Sequence, residues 1–172
     1  EDWKLPVSVT VTERPKLHSP LAIDFGNSNT YVVCFKPNPD EDDDDDMTNK
    51  FKAVFDPDPE NFPSALYLPC PPGSDEKLRD VRIGREALKK GERSPGALLH
   101  WPPMKRWLLL PEKDWNRPVR INRGPTEEPF DCSHTDLMRT YLEKVVLESE
   151  RVLRKAVTRV GLSFPSNFSV RA

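Results

Sequence analysis

The sequence predicts an α/β protein in which a mixed sheet, made of antiparallel hairpins plus a parallel strand, carries a long helix on one face. Three observations predict this class. Short β-branched or alternating runs, separated by turn residues, recur through residues 21–68 and indicate hairpins. Residues 134–157 place apolar side chains at helical spacing. The segment 159–164 is typical of a strand, so the chain returns to the sheet after the helix.

Composition limits the size and the class of the protein. The chain has 172 residues and a mass of 19.7 kDa, enough for one domain or for two small lobes that share a core. Its 26 basic and 28 acidic residues give a net charge of −2, and seven of the acids form one run, 40–46. Outside that run, 26 basic residues face 21 acidic ones. This mild excess argues against a strongly basic nucleic-acid-binding protein, and we expect no nucleic-acid partner.

The sequence also indicates a cytoplasmic protein with no membrane partner. No apolar stretch approaches the roughly 20 residues that span a bilayer, and no signal peptide is visible at the start. The three cysteines, Cys34, Cys70 and Cys132, are odd in number and have no CxxC spacing. We therefore expect reduced thiols rather than a zinc site or a redox pair.

The first part of the chain is expected to form short strands. An N-terminal extension, 1–20, holds one alternating edge strand, and the sheet itself begins at residue 21. We predict strands at residues 7–11, 21–24, 30–35, 51–55 and 64–68. The acidic run falls in a loop, 38–50, which we interpret as solvated. Because antiparallel strands alternate in direction, this loop lies at the opposite end of the sheet from the turn at 24–30.

The middle of the chain, 69–132, is expected to form a smaller inserted lobe. Proline accounts for 19 of the 172 residues, and this abundance favours short elements and fixed turns. The sequence predicts a brief strand at 81–83, a helix at 84–90 closed by Gly91, and a strand at 119–121.

A long helix and a returning strand are predicted for the last part, 133–172. Ser133 or Thr135 offers the N-cap, and basic residues near the end suit the helix dipole. Five residues recur at spacings that place them on one face: Leu137, Tyr141, Val145, Val152 and Ala156. That face is expected to pack on the sheet.

The turn at 24–30 carries most of the chemical information. Asp24 ends a buried strand, where a carboxylate is costly unless its charge is used. Gly26, Asn27 and Ser28 would expose backbone N–H groups and short polar side chains that suit an anion such as phosphate. The carboxylate would then reach a hydrated Mg²⁺ on that phosphate. The turn lacks the Lys-Ser/Thr pair of a Walker P-loop, and its composition also fits a purely structural hairpin turn.

Residues 21–30, LAIDFGNSNT, resemble the first phosphate loop of the ATPase superfamily of actin, sugar kinases and heat-shock chaperones. Four further stretches occur in the order seen in the seventy-kilodalton heat-shock chaperones of the DnaK type: 62–67 (FPSALY), 82–87 (RIGREA), 104–109 (MKRWLL) and 157–168 (VTRVGLSFPSNF). The resemblance covers residues 20–170. It implies a ribonuclease-H-like fold, of which 21–172 would be the first half of the first actin-like ATPase lobe.

The resemblance also implies roles for individual residues. Asp24 would be catalytic and would reach Mg²⁺ through water. Lys105 would lie beside the γ-phosphate and the attacking water, where a cation offsets charge on the transferring group. The residues expected to bind the phosphates of ATP or ADP are Gly26, Asn27, Ser28 and Asn29. Client polypeptides or co-chaperones would bind through the remainder of a longer parent protein.

Two other functions stay open at this level. Asn27 stands where these chaperones usually have Thr, and the segment after Arg93 is richer in proline and tryptophan than their pattern. Both departures fit a non-catalytic protein-interaction module on the same fold. A small-molecule kinase of the superfamily would share the first phosphate loop. The family's catalytic glutamate and second phosphate loop lie beyond residue 172, so we expect this piece alone to bind nucleotide poorly and to be inactive.

Overall fold

The computed structural model of the protein describes residues 14–26, 28–35, 51–55, 62–69, 80–92, 97–100, 111–122 and 128–163. The strands in these residues are β1 (Leu21–Phe25), β2 (Thr30–Phe35), β3 (Phe51–Ala53), β4 (Ala65–Leu68), β5 (Arg82–Ile83), β6 (Ala97–His100), β7 (Pro118–Ile121), β8 (Phe130–Ser133) and β9 (Val160–Ser163). The helices are α1 (Gly84–Gly91), α2 (Glu112–Trp115) and α3 (His134–Leu153). The predicted strand at 7–11 and the acidic run lie outside the described residues.

The main sheet has four strands in the order β3-β2-β1-β9. β1 and β2 form the predicted antiparallel hairpin, and β3 pairs antiparallel on the other side of β2. β9 pairs with β1 in parallel, with Asp24 opposite Ser163. Side chains of β1 alternate between the two faces of the sheet: Leu21, Ile23 and Phe25 are buried on one face, while the residues between them are exposed on the other. The prediction of an α/β protein with a mixed sheet and a helix is confirmed.

Two smaller sheets accompany the main one. In the first, β5 and β6 flank β4, and both are antiparallel to it; the second is the hairpin of β7 and β8. The sequence patterns do not predict β6, α2 or β8. Helix α1 includes Gly91 and has Glu92 as its C-cap, so the expectation that Gly91 closes the helix is wrong. Gly84 begins α1 with a φ of +61°, and a Cβ there would lie 2.7 Å from the ring of Phe62, so this position requires glycine.

Helix α3 begins with a capping box. The Ser133 Oγ accepts a hydrogen bond from the Asp136 N–H at 3.0 Å, and the Asp136 carboxylate accepts one from the Ser133 N–H at 3.3 Å. Of the two predicted caps, Ser133 is therefore the N-cap, whereas Thr135 lies inside the first turn. The helix ends at Leu153, because Arg154 adopts a left-handed conformation with φ 54°.

The end of α3 corrects the predicted apolar face. The first three residues of that face, from Leu137 to Val145, are buried as expected. Val152 is instead 48% exposed. Ala156 lies beyond the helix, where its N–H donates to the Pro15 carbonyl and its carbonyl accepts from the Leu17 N–H. At Ala156 the chain has therefore left the helix, and it forms a parallel bridge with Lys16 before it enters β9.

Ser133→Ala is expected to lower the free energy of unfolding by about 1 kcal/mol, because it leaves the first helical N–H groups without their cap. Thr135→Ala is the matched control, since the Thr135 hydroxyl makes only a long 3.4 Å hydrogen bond to the Trp115 carbonyl. Urea unfolding followed by far-UV circular dichroism measures both variants. Equal losses for the two would contradict the capping assignment.

One apolar cluster joins helix α3 to the sheets. The inward side chains of β1 pack against α3, and the ring centroids of Phe25 and Tyr141 lie 5.4 Å apart. The same cluster includes Leu66 of β4, Ile83 of β5 and Ile121 of β7. Tyr141 thus reaches the end of β1 from the helix. None of the described helices is both long enough and apolar enough to cross a membrane.

Two ion pairs that share Glu148 lie along α3 beside this cluster. Lys144 is 4% exposed, and its Nζ lies 2.9 Å from the Glu148 Oε1. The other carboxylate oxygen of Glu148 accepts from the Arg151 Nε at 2.7 Å. Burial on its own would raise the pKa of Glu148, but the hydrogen bonds and charges of Arg151 and Lys144 outweigh burial, so this pKa is lowered. Glu148 therefore stays ionised and balances the buried cation.

Candidate functional site

The candidate site is the turn that links β1 to β2. Asp24, the last residue but one of β1, is exposed, so the burial cost that the sequence suggested for its carboxylate does not arise. Its Oδ1 accepts a hydrogen bond from the Ser163 Oγ at 3.1 Å. Because β1 and β9 are parallel, their carboxyl ends meet at one edge of the sheet. Ligands of open α/β sheets bind at such an edge. An ionised carboxylate has several acceptor positions, so Asp24 has capacity for further donors.

The backbone of the turn closes tightly at Gly26. A Cβ at this position would overlap the backbone carbonyl oxygen of Asn29, so the close approach requires glycine. Asn29 in turn forms an antiparallel bridge with Pro63. The shape of the turn is therefore set by its own glycine and by the segment that precedes β4.

That segment, 62–64, stabilises the turn from one side, and we call it the brace. The Thr30 N–H donates to the Phe62 carbonyl at 3.0 Å, and the Ser64 N–H donates to the Ser28 carbonyl at 2.7 Å. The Ser64 Oγ also donates to the Gly26 carbonyl at 3.0 Å. Two carbonyl oxygens of the turn, those of Gly26 and Ser28, are thus both bound by Ser64.

Three buried hydroxyls connect this brace to helix α3. The Thr30 Oγ1 lies 2.8 Å from the Ser64 Oγ and 2.7 Å from the Tyr141 hydroxyl. All three residues are at most 3% exposed. Burial raises the pKa of Tyr141 far above its usual value, and the hydrogen bonds with Thr30 and Ser64 offset only part of that rise. Tyr141 therefore keeps its proton at neutral pH and is available as a donor.

The structure brings most of the predicted phosphate-binding residues into one turn. Those that it places there are Asp24, Gly26, Ser28 and Asn29. Asn27 and Lys105 lie outside the described residues. Sequence reasoning missed the brace: Ser64 lies in the 62–67 stretch but received no role, and Tyr141 was expected only to pack. The hydroxyl of Tyr141, which stands among the apolar residues of the predicted helix face, is the signal that could have indicated a polar partner.

Asp24 is the residue of this turn that suits a cation. Mg²⁺ usually keeps several of its waters and takes one or two carboxylates from a protein. A single exposed carboxylate beside a turn that is predicted to bind phosphate fits a ligand that contacts Mg²⁺ through water. Across the part of the chain that the structure describes, no three His, Cys, Asp or Glu residues cluster in a way that could hold a metal directly.

A scan against protein-family models and a search of curated proteins both return no match for this chain.

Proposed function

We propose that this chain is the N-terminal part of a chaperone-like ATPase, in which the turn at 24–30 binds the phosphates of Mg-ATP. In the parent protein, ATP hydrolysis would drive a conformational change. The turn is the observation that carries the proposal. Gly26 closes it, Ser64 binds two of its carbonyl oxygens, and the exposed carboxylate of Asp24 stands beside it.

The order of the strands supports a ribonuclease-H-like fold of the actin type. Three antiparallel strands are followed by a strand parallel to the first, and α3 directly precedes that parallel strand. The candidate turn lies at the carboxyl edge of the parallel pair, where ligands of α/β sheets bind. The predicted inserted lobe, 69–132, would then also include β4, which pairs with β5 and β6 and not with the main sheet.

Each residue has a distinct task in this proposal. Backbone N–H groups of the turn bind the β- and γ-phosphate oxygens. The Asp24 carboxylate orients the water shell of Mg²⁺, which neutralises phosphate charge when bound. Lys105 steadies the γ-phosphate and the attacking water, as the 104–109 motif implies. This chain supplies one of the family's two phosphate loops, so its own affinity for nucleotide should be low.

The proposal is tested by titrating the ¹⁵N-labelled chain with pyrophosphate, with and without Mg²⁺. We expect the amide resonances of Gly26, Ser28 and Asn29 to shift together, with a Kd of about 1 mM. Amides on β7 and β8 serve as an internal reference and should not move. If the amides of the turn show no shift at about 20 mM pyrophosphate, a concentration far above that Kd, the proposal is wrong.

Asp24→Asn is expected to change this affinity in opposite directions with and without Mg²⁺. Without Mg²⁺ the variant should bind pyrophosphate about threefold more tightly than the wild type, because a repelling carboxylate is gone. With Mg²⁺ it should bind about tenfold more weakly, because the water shell of the cation loses its acceptor. Asp131→Asn, which neutralises an exposed carboxylate on β8, is the matched control. An equal loss with and without Mg²⁺ would show that Asp24 acts on the fold and not on the cation.

A second candidate function, a non-catalytic protein-interaction module on the same fold, is favoured by exposed apolar side chains. Leu147, Val160 and Leu162 are each at least 40% exposed and line a groove of about 370 Å³ between α3 and β9. A module of this kind would have no need of phosphate. It therefore predicts that pyrophosphate leaves the amides of the turn unchanged, and the same titration separates the two candidates.

A further inference from the structure

The three buried hydroxyls have a fixed order of donors. A carbonyl oxygen can only accept, so the Ser64 hydroxyl points its proton at Gly26. Each hydroxyl has one proton to donate. Ser64 therefore accepts from Thr30, and Thr30 accepts from Tyr141. The chain of hydrogen bonds runs in one direction, from helix α3 to the turn.

Ser64 binds two carbonyl oxygens of the turn, those of Gly26 and Ser28, from the same side. Its hydroxyl holds the Gly26 oxygen at 3.0 Å, and its N–H holds the Ser28 oxygen at 2.7 Å. A carbonyl that rotates toward a bound phosphate repels it, whereas an N–H group attracts it. Both oxygens are held toward the segment before β4, so neither can rotate toward an anion that binds on the opposite side of the turn.

We propose that Ser64 is a positioning residue for anion binding at the 24–30 turn, and that Tyr141 acts on the same turn through Thr30 and Ser64. This inference rests on the proposed function and adds the residues that set the affinity of the turn for phosphate. Ser64 acts by orienting the Gly26 carbonyl and does not itself contact the anion. Helix α3 is thereby coupled to the phosphate turn through its own Tyr141 hydroxyl.

The direction of the hydrogen bonds predicts a graded result. Ser64→Ala removes the bond to the Gly26 carbonyl but keeps the backbone bond to Ser28. The affinity for pyrophosphate should therefore fall about fivefold to tenfold, the equivalent of one lost hydrogen bond. Tyr141→Phe leaves the Ser64 donor in place and removes the bond that the tyrosine hydroxyl donates to Thr30, which polarises the two bonds that follow. Its affinity should fall about twofold.

Two further variants separate positioning from stability. Ser149→Ala deletes a fully buried hydroxyl on the same helix, whose hydrogen bond to the Val145 carbonyl at 2.7 Å stays inside α3. This variant should lose stability but keep its affinity for pyrophosphate. Ser64→Cys keeps the side chain close to its original volume and replaces the hydroxyl with a weak S–H donor. It serves as the test if the alanine variant does not fold.

The experiment measures the pyrophosphate Kd from the amides of the turn and the free energy of unfolding in urea for every variant. Weaker binding by both Ser64 variants, with unchanged binding by Ser149→Ala, supports the proposal. Wild-type affinity in a folded Ser64 variant would overturn it and leave the proposed function standing. An equal loss of affinity in Ser149→Ala would also overturn it, because general loosening would then explain the effect. Absence of binding by the wild type would overturn both.

Discussion

Gly26→Ala is expected to abolish pyrophosphate binding by the turn and to lower the free energy of unfolding by about 1–3 kcal/mol. The added Cβ would overlap the Asn29 carbonyl oxygen, which belongs to the backbone and cannot rotate away by itself. The strain can be relieved only by opening the turn. Ser64 opposes that opening, because it holds the carbonyl oxygens of Gly26 and Ser28. The variant thus loses both the tight turn and the arrangement of its N–H groups.

Gly161→Ala is the matched control for this prediction. A Cβ at Gly161, on β9, meets no described atom within 4 Å. Its affinity for pyrophosphate should equal that of the wild type, and its stability should stay the same or rise slightly, because alanine restricts the unfolded chain. The amide titration and urea unfolding are carried out on both variants. Wild-type affinity for pyrophosphate in Gly26→Ala would show that anion binding does not depend on the shape of this turn.

Glu148→Ala is expected to cost more stability than Lys144→Met, although both substitutions remove the Lys144–Glu148 ion pair. Only Glu148→Ala also removes the pair with Arg151, but that side chain is exposed and its pair contributes little. Without Glu148, the buried ammonium of Lys144 loses its 2.9 Å partner and remains as an uncompensated charge. Breaking a fully buried pair in this way costs about 3–5 kcal/mol. The Glu148 side chain is 22% exposed, so we expect about 2 kcal/mol here. Lys144→Met removes the cation and fills the same space, which should cost less than about 1 kcal/mol.

Glu148→Ala and Lys144→Met are compared by urea unfolding at neutral pH. A third variant, Glu148→Gln, is compared with the wild type from neutral to acidic pH. Glu148 has a lowered pKa in the folded protein, so its contribution to stability is complete above the pKa of the unfolded chain. That contribution is lost as the pH falls through the folded pKa. Wild type and Glu148→Gln should therefore differ at pH 7 and converge as the pH drops below the ordinary value of 4.5. Equal costs for Glu148→Ala and Lys144→Met would show that Lys144 is solvated well enough to stand alone.

The elements that the sequence predicts well are those determined by neighbouring residues. The hairpin of β1 and β2 follows from β-branched runs around a turn of Gly, Asn and Ser. The start of α3 follows from the serine at 133 and the acid at 136, which form a capping box. Strand β6 was missed because its pairing with β4 depends on residues about thirty positions earlier. The end of α3 was misplaced because a distant segment, 15–17, draws Ala156 out of the helix.

The candidate site likewise has a part that the sequence predicts and a part that it does not. The polar residues of the turn are contiguous, so their composition alone indicates an anion site. Ser64 and Tyr141 reach the turn from positions that are 38 and 111 residues away from their partners. No local pattern records such contacts, because they arise only when α3 packs on β1 and the segment before β4 folds against the turn. The sequence motifs predict this turn as the site, and tertiary packing supplies the residues that shape it.

The parallel pairing of β1 with β9 affects how the protein folds during synthesis. Asp24 and Ser163, which meet across this pair, are 139 residues apart in the chain. Ribosomes add about 5–20 residues per second, so β1 waits roughly 7–28 s for its parallel partner to be made. A hairpin by itself is marginally stable in water, and the unpaired edge of β1 is open to other nascent chains in that interval. The growing chain is therefore most prone to aggregation before residue 163 leaves the ribosome, and slower translation of 36–159 would lengthen that exposure.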